Sequence, residues 1–113
     1  METKAKRTLV KSAPELWELA DDLARMEAWM GGLVGARAPV PVEVTDRDPG
    51  RILAWRNVDG AAFARIALEL AEKGWGTSVR IIAQHPGESA AVDTLERLLD
   101  ELGSPERRPF ASA

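Results

Sequence analysis

The hydrophobic period of the chain changes several times, and each change marks an element. Residues 4–11 (KAKRTLVK) hold the β-capable trio Thr8-Leu9-Val10. Ser12-Ala13-Pro14-Glu15 then carries a helix-start signature: a capping side chain, proline in the first turn and a carboxylate facing the helix dipole. A strand running into a helix is predicted. From Pro14 the apolar residues Leu16, Leu19, Ala20, Leu23 and Met26 recur at the three- and four-residue intervals that place them on one helical face. Asp21-Asp22 predicts a break, with Asp22 capping a second short helix through Met30. Gly31-Gly32 is read as its end, because glycine readily takes the left-handed conformation that satisfies the last carbonyls. Residues 31–41 (GGLVGARAPVP) then form a linker.

Beyond Pro41 the period shortens to two. Val42 and Val44 alternate with Glu43 and Thr45, a half-buried strand stopped at DRDPG by the Pro49-Gly50 turn. RILAWRNV (residues 51–58) returns as its hairpin partner, with Leu53 and Trp55 on one side and Ile52, Ala54 and Arg56 on the other. Asp59-Gly60 supplies a second turn. Ala62, Ala64, Ile66, Leu68 and Leu70 then share one parity. Their composition would also suit a helix, but the bracketing turns favour a strand. A third turn at Glu72-Lys73-Gly74-Trp75-Gly76 leads to a last strand, with Thr77, Val79, Ile81 and Ala83 on one face and Ser78, Arg80, Ile82 and Gln84 on the other. His85-Pro86-Gly87 breaks it. From Glu88 or Ser89 a helix follows with Val92, Leu95, Leu98, Leu99 and Leu102 on one stripe, stopped by Gly103 and Pro105; the tail PERRPFASA has no periodicity and is expected to fray.

Composition narrows the possibilities. A chain of 113 residues has room for one compact domain, here with a core over about residues 6–102 and a tail over 103–113. With 45% hydrophobic and 29% charged residues it is a globular composition rather than a disordered or collagen-like one. Cysteine is absent, which excludes a disulfide framework, a thiolate zinc site, an iron–sulfur cluster and cysteine nucleophiles. A net charge of −3 argues against nucleic acid as a partner. After Met1 the chain reads ETKAKR with no export-type apolar run, and no stretch approaches a membrane span, so a cytoplasmic protein is expected.

Three phrases resemble one superfamily. SAPELWELADDLARMEAWM is similar to the entry signature of the START-like (SRPBCC) group, which includes the Bet v 1, polyketide cyclase/dehydrase and Hsp90-ATPase-activator-homologue families; the matching positions are Ala13, Pro14, Leu16, Trp17, Ala20, Asp21 or Asp22, and Trp29. DPGRILAWRN resembles its strand hairpin and GWGTSVRI its glycine-led strand. The resemblance spans about residues 6–102 and implies an α+β helix-grip fold of order β-α-α-β-β-β-β-α, an antiparallel sheet wrapped on the C-terminal helix. Members of that group usually carry two more strands after the second helix, where this chain has only its linker, so a shortened sheet of about five strands is expected. Its uncovered edges make a homodimer the natural assembly.

The candidate chemistry is sparse. Four tryptophans in a chain without tyrosine are its most unusual feature. Trp17, Trp29 and Trp55 are read first as core packing, Trp29 and Trp55 would face the cavity in a ligand-binding reading, and Trp75 suits a partly exposed lid or contact. His85, the only histidine, falls in what reads as a surface turn and is expected to be structural. Asp46 and Asp48 lack the continuation of a calcium loop, Asp21-Asp22 suits capping, Asp100-Glu101 suits a solvated helix end, and GWGTS lacks the lysine of a phosphate loop. Arg56, Arg65, Arg80, Glu43 and Glu69 form an outward charge ladder, with Ile52 and Ile82 among them as a candidate partner surface. A small hydrophobic molecule, the class of ligand the resemblance implies, is expected in a sheet–helix groove of Trp29, Leu53, Trp55, Ile66, Leu68, Val79, Ile81, Val92, Leu95 and Leu99, and the residues suggest no metal, cofactor or catalytic group. A polyketide cyclase-like enzyme and a pocketless interaction or dimer module are the alternatives.

Overall fold

The computed structural model describes residues 1–58, 62–87 and 91–104. The expected turn at Asp59-Gly60, the helix start at Glu88 or Ser89, the Pro105 stop and the tail lie outside these residues. Eight elements follow in the expected order: β1 (Glu2–Leu9), α1 (Ala13–Ala20), α2 (Leu23–Val34), β2 (Val42–Asp48), β3 (Ile52–Asn57), β4 (Arg65–Lys73), β5 (Gly76–Gln84) and α3 (Ala91–Gly103). The five strands form one antiparallel sheet in the spatial order β1-β5-β4-β3-β2. The sequential hairpins account for three of its pairings. The α1–α2 pair carries the chain from β1 at one edge to β2 at the other.

Local chemistry sets both helix starts. The Ser12 hydroxyl accepts from the Glu15 backbone N–H while the Glu15 carboxylate accepts from the Ser12 N–H, a reciprocal capping box. These bonds to Ser12, backbone first and side chain second, with Lys11 nearby, hold the Glu15 carboxyl below its ordinary value of 4.5. Asp22 caps α2 by accepting from the N–H groups of Ala24 and Arg25.

The end of α2 corrects the reading of Gly31-Gly32. The helix runs through both glycines to Val34 and closes on Gly35, whose φ of 77° is the left-handed cap. The paired glycines serve close approach instead. A Cβ on Gly31 would lie 2.5 Å from the Ala38 carbonyl oxygen, and one on Gly32 would lie 3.1 Å from Thr94 Oγ1 on α3.

Two strands also outrun their expected bounds. β1 extends back to Glu2, its inner row reading Thr3, Ala5, Arg7 and Leu9. Arg7 is tolerated on that row because its guanidinium bridges Glu96 and Asp100 of α3 at 2.8 and 2.7 Å. β2 continues past Thr45 through a bulge between Val44 and Asp46. Asp46 and Asp48 are therefore strand residues, paired with Arg65 and Arg51. At the β4–β5 tip Gly74 has φ 60° and Trp75 follows it between the paired Lys73 and Gly76, the pattern of a type II′ turn.

The inner face of the sheet presents Leu53, Trp55, Ile66, Leu68, Leu70, Val79, Ile81 and Ala83, all buried in one cluster with the helices. α3 packs on β1 and β5, while α2 covers β2 and β3 and meets α3. The outer face carries the predicted ladder, in which Arg56 pairs with Glu43 and Arg80 with Glu69. Arg65 reaches across β3 to Asp46 on β2, and beneath this bridge Ala54 is fully buried although it points outward.

Candidate functional site

The centre of the grip lies where β3, α2 and α3 converge. Leu53, Trp55, Ile66, Leu68, Val79 and Ile81 come from alternate positions on three neighbouring strands, and Leu95 and Leu99 descend from α3. All are buried, as is Trp29 on α2. The residues expected to line a groove are thereby brought together as one buried cluster, except Val92, which is 62% exposed. The buried stripe of α3 runs through Ala91, Leu95, Leu98 and Leu102 with Thr94 and Leu99 beside it. Val92, about 100° round the helix from Ala91, turns to solvent in the first described turn.

Helix α2 adds buried residues to this cluster that the sequence pattern does not assign. Met26, Met30 and Leu33 are buried around Trp29 at helical spacing. Their periodicity was visible, but ending the helix at Met30 hid Leu33. Leu19 is half-buried and Leu23 exposed, because the break at Asp21-Asp22 takes Leu23 off the α1 stripe.

Trp29 and Trp55 meet with ring centroids 5.9 Å apart and planes tilted by 34°. Their polar edges differ. The Trp29 indole N–H donates to Glu101 Oε1 at 3.0 Å, tying α2 to α3. Glu101 is thus a partner of the core rim, and its neighbour Asp100 holds Arg7, so neither is a free carboxylate at a fraying end. The Trp55 indole N–H is buried and has no acceptor among the described residues. An unmade hydrogen bond of this kind costs about 1–3 kcal/mol, and native interiors seldom leave one.

The remaining polar candidates have structural work. His85 is buried rather than placed at the surface, with 6% of its area exposed. Its Nδ1 lies 3.0 Å from the Gly87 carbonyl, which can only accept, and its Nε2 lies 2.8 Å from Thr3 Oγ1. In the neutral ring Nδ1 donates to Gly87 and Nε2 accepts from the Thr3 hydroxyl. Asp21 accepts from Arg47 at 2.9 Å and Asp22 caps α2. No group of three or more metal-ligating side chains occurs among the described residues. At the sheet end formed by the β1–α1 junction and the β4–β5 turn, Val10, Lys11, Glu15, Glu72 and Trp75 line an open groove of about 440 Å³. Trp75 stands 74% exposed at its rim.

No protein-family model matches the chain, and no curated protein matches it. Solved structures do. The Deinococcus radiodurans protein DR_A0006 is 23% identical, with 90% of this chain covering 97% of that one at a TM-score of 0.64. The Aha1 dimer from Colwellia psychrerythraea is 15% identical, with coverages of 91% and 96% and a TM-score of 0.68. CalU16 from Micromonospora echinospora is 22% identical, with coverages of 90% and 71% and a TM-score of 0.67. The chain has the START-like, or SRPBCC, fold. No described helix is long and apolar enough to cross a membrane.

Proposed function

We propose that the chain is a non-enzymatic binding module that takes a small hydrophobic molecule between the inner face of the sheet and helices α2 and α3. One observation carries this reading: Trp29 and Trp55 meet at the centre of the grip in a tilted contact, ring centroids 5.9 Å apart, within an apolar interior. Rings this close pack on one another, and a planar apolar group that enters beside them gains a large contact area at little conformational cost. Around them Met26 and Met30 are unbranched thioethers, able to shift rotamer and make room without breaking a hydrogen bond. The START-like fold is consistent with an interior site, and the aliphatic walls from Leu53, Ile66, Leu68, Val79, Ile81, Leu95 and Leu99 favour an apolar occupant.

The test uses the fluorescent probe N-phenyl-1-naphthylamine. The wild-type chain is expected to bind it saturably with a rise in emission. Leu95→Trp fills the groove from α3 and Trp55→Ala removes its aromatic floor, and each lowers affinity about tenfold or more with the far-ultraviolet circular dichroism unchanged. Affinity retained in both folded variants contradicts a sheet–helix site.

A second reading, a homodimer joined through the outer face of the sheet, is favoured by a different observation. Ile82, Ala67 and Ala54 lie side by side across β5, β4 and β3, with Ile52 adjacent, and the charged pairs flank them. Ile82 and Ile52 are only half-buried there. One structural relative is itself described as a dimer. Sedimentation should show Ile82→Asp converting a dimer to monomer; an unchanged oligomer removes this face from consideration.

A further inference from the structure

We infer that the ligand is a neutral apolar molecule carrying one hydrogen-bond-accepting oxygen, a ketone or ester rather than a hydrocarbon or a carboxylate, and that its oxygen is received by the Trp55 indole N–H. This rests on the interior site proposed above and assigns its selectivity.

Two observations converge on it. The first is the contrast within the tryptophan pair: Trp29 has its N–H answered by Glu101 at 3.0 Å, while Trp55 is buried with its N–H unanswered among the described residues. Phenylalanine or leucine would fill the same space without a donor to satisfy; the Trp55 nitrogen is sealed from solvent, so an acceptor reaches the orphan N–H only as the surrounding side chains, Met26 and Met30 among them, shift to admit it. An oxygen there restores the missing bond, which a hydrocarbon cannot do. The second is the charge of the interior. The buried polar side chains among the described residues are Asn57, Thr77, His85 and Thr94, with no lysine or arginine among them. Asn57 organises the start of β4 by bonding Ala62 and Ala64, Thr77 donates to the Lys11 carbonyl, and His85 is engaged by Thr3 and Gly87. Arg7 and Arg47, on the strands beside the helices, are held in ion pairs with Glu96, Asp100 and Asp21. A carboxylate inside would therefore lose its hydration with no cation to replace it, whereas a carbonyl needs only the single donor Trp55 supplies.

Three probes of nearly equal shape separate the possibilities: 1-indanone, indane and indane-1-carboxylate, titrated into the whole chain by calorimetry and by the ¹⁵N–¹H spectrum of the tryptophan side chains. The ketone is expected to bind about tenfold more tightly than the hydrocarbon and at least as far above the carboxylate. It should move the Trp55 Nε1–H resonance, identified by its loss in Trp55→Phe, downfield while indane does not. In Trp55→Phe the ketone-to-hydrocarbon ratio should fall to about one. Equal binding of ketone and hydrocarbon by the wild-type chain, or a ratio that survives Trp55→Phe, overturns the inference and leaves the apolar site standing. A carboxylate that binds most tightly overturns it as well. Binding by none of the three overturns the interior site, and the selectivity with it.

Discussion

At Trp29 the indole N–H is bonded to Glu101, and at Trp55, one aromatic contact away, the same group has no acceptor among the described residues. Substitutions that keep the aromatic bulk should read this difference directly. Trp29→Phe loses a hydrogen bond to a carboxylate and part of a ring contact, a destabilisation of about 1–3 kcal/mol. Trp55→Phe loses ring area but also relieves an unsatisfied donor, so urea unfolding should show it markedly less destabilised than Trp29→Phe. Equal losses would mean that the Trp55 N–H is satisfied in solution. Glu15 offers a test at the surface. Its carboxyl is held below 4.5 chiefly by the Ser12 backbone N–H and then by the Ser12 hydroxyl. A lowered folded-state value makes its contribution present above the unfolded value and lost as the pH falls through the folded one. Stability should therefore decline as the pH drops below about 4.5, and Glu15→Gln should flatten that decline; a decline unchanged in the variant would remove the capping box as a contributor.

Among the elements, α2 shows how one sequence signal can serve two structural needs. Gly31-Gly32 resembles a helix stop, yet the helix continues because the missing side chains let the Ala38 carbonyl and α3 come close. Gly35, three residues on, is the left-handed cap. Gly31→Ala should cost about 1–3 kcal/mol through displacement of the linker backbone, since its Cβ would meet a carbonyl oxygen. Gly35→Ala, with open space around its Cβ, should cost only the left-handed conformation, about 1–2 kcal/mol. A thermal melt in which Gly31→Ala is neutral would contradict the close approach of the Ala38 carbonyl, and one in which Gly35→Ala is neutral would contradict the left-handed cap. Most other elements were legible because local chemistry and hydrophobic period agreed, as at Ser12, Asp22, Pro49-Gly50 and Gly74. β1 was only partly legible because its inner row includes Arg7, whose carboxylate partners lie on α3 nearly the whole chain away. The outward turn of Val92 was hidden for a similar reason. Its spacing fits the apolar stripe, and only the docking angle of α3 on β1 and β5 decides which neighbour of the stripe faces water.

For the whole molecule, the inner surface of a START-like sheet is closed by two helices that meet over a tryptophan pair. Both sheet edges carry protection of their own: Lys4 and Lys6 on β1, and the bulge with Asp46 and Asp48 on β2. The edge-based argument for a dimer is thereby weakened, and the outer face with Ile52 and Ile82 is the surface that remains for it. The inward-facing residues were legible almost one by one, since strand parity and helix period point the same side chains toward the core. The orphan donor was not legible, because the sequence names a tryptophan without saying whether an acceptor will stand beside its nitrogen. The most direct test of an interior ligand is native mass spectrometry of freshly purified protein beside its denatured spectrum. The account predicts an added mass that disappears on denaturation, and that Leu95→Trp purified in parallel lacks. A wild-type chain that carries no added mass, and gains none when incubated with 1-indanone, would contradict it.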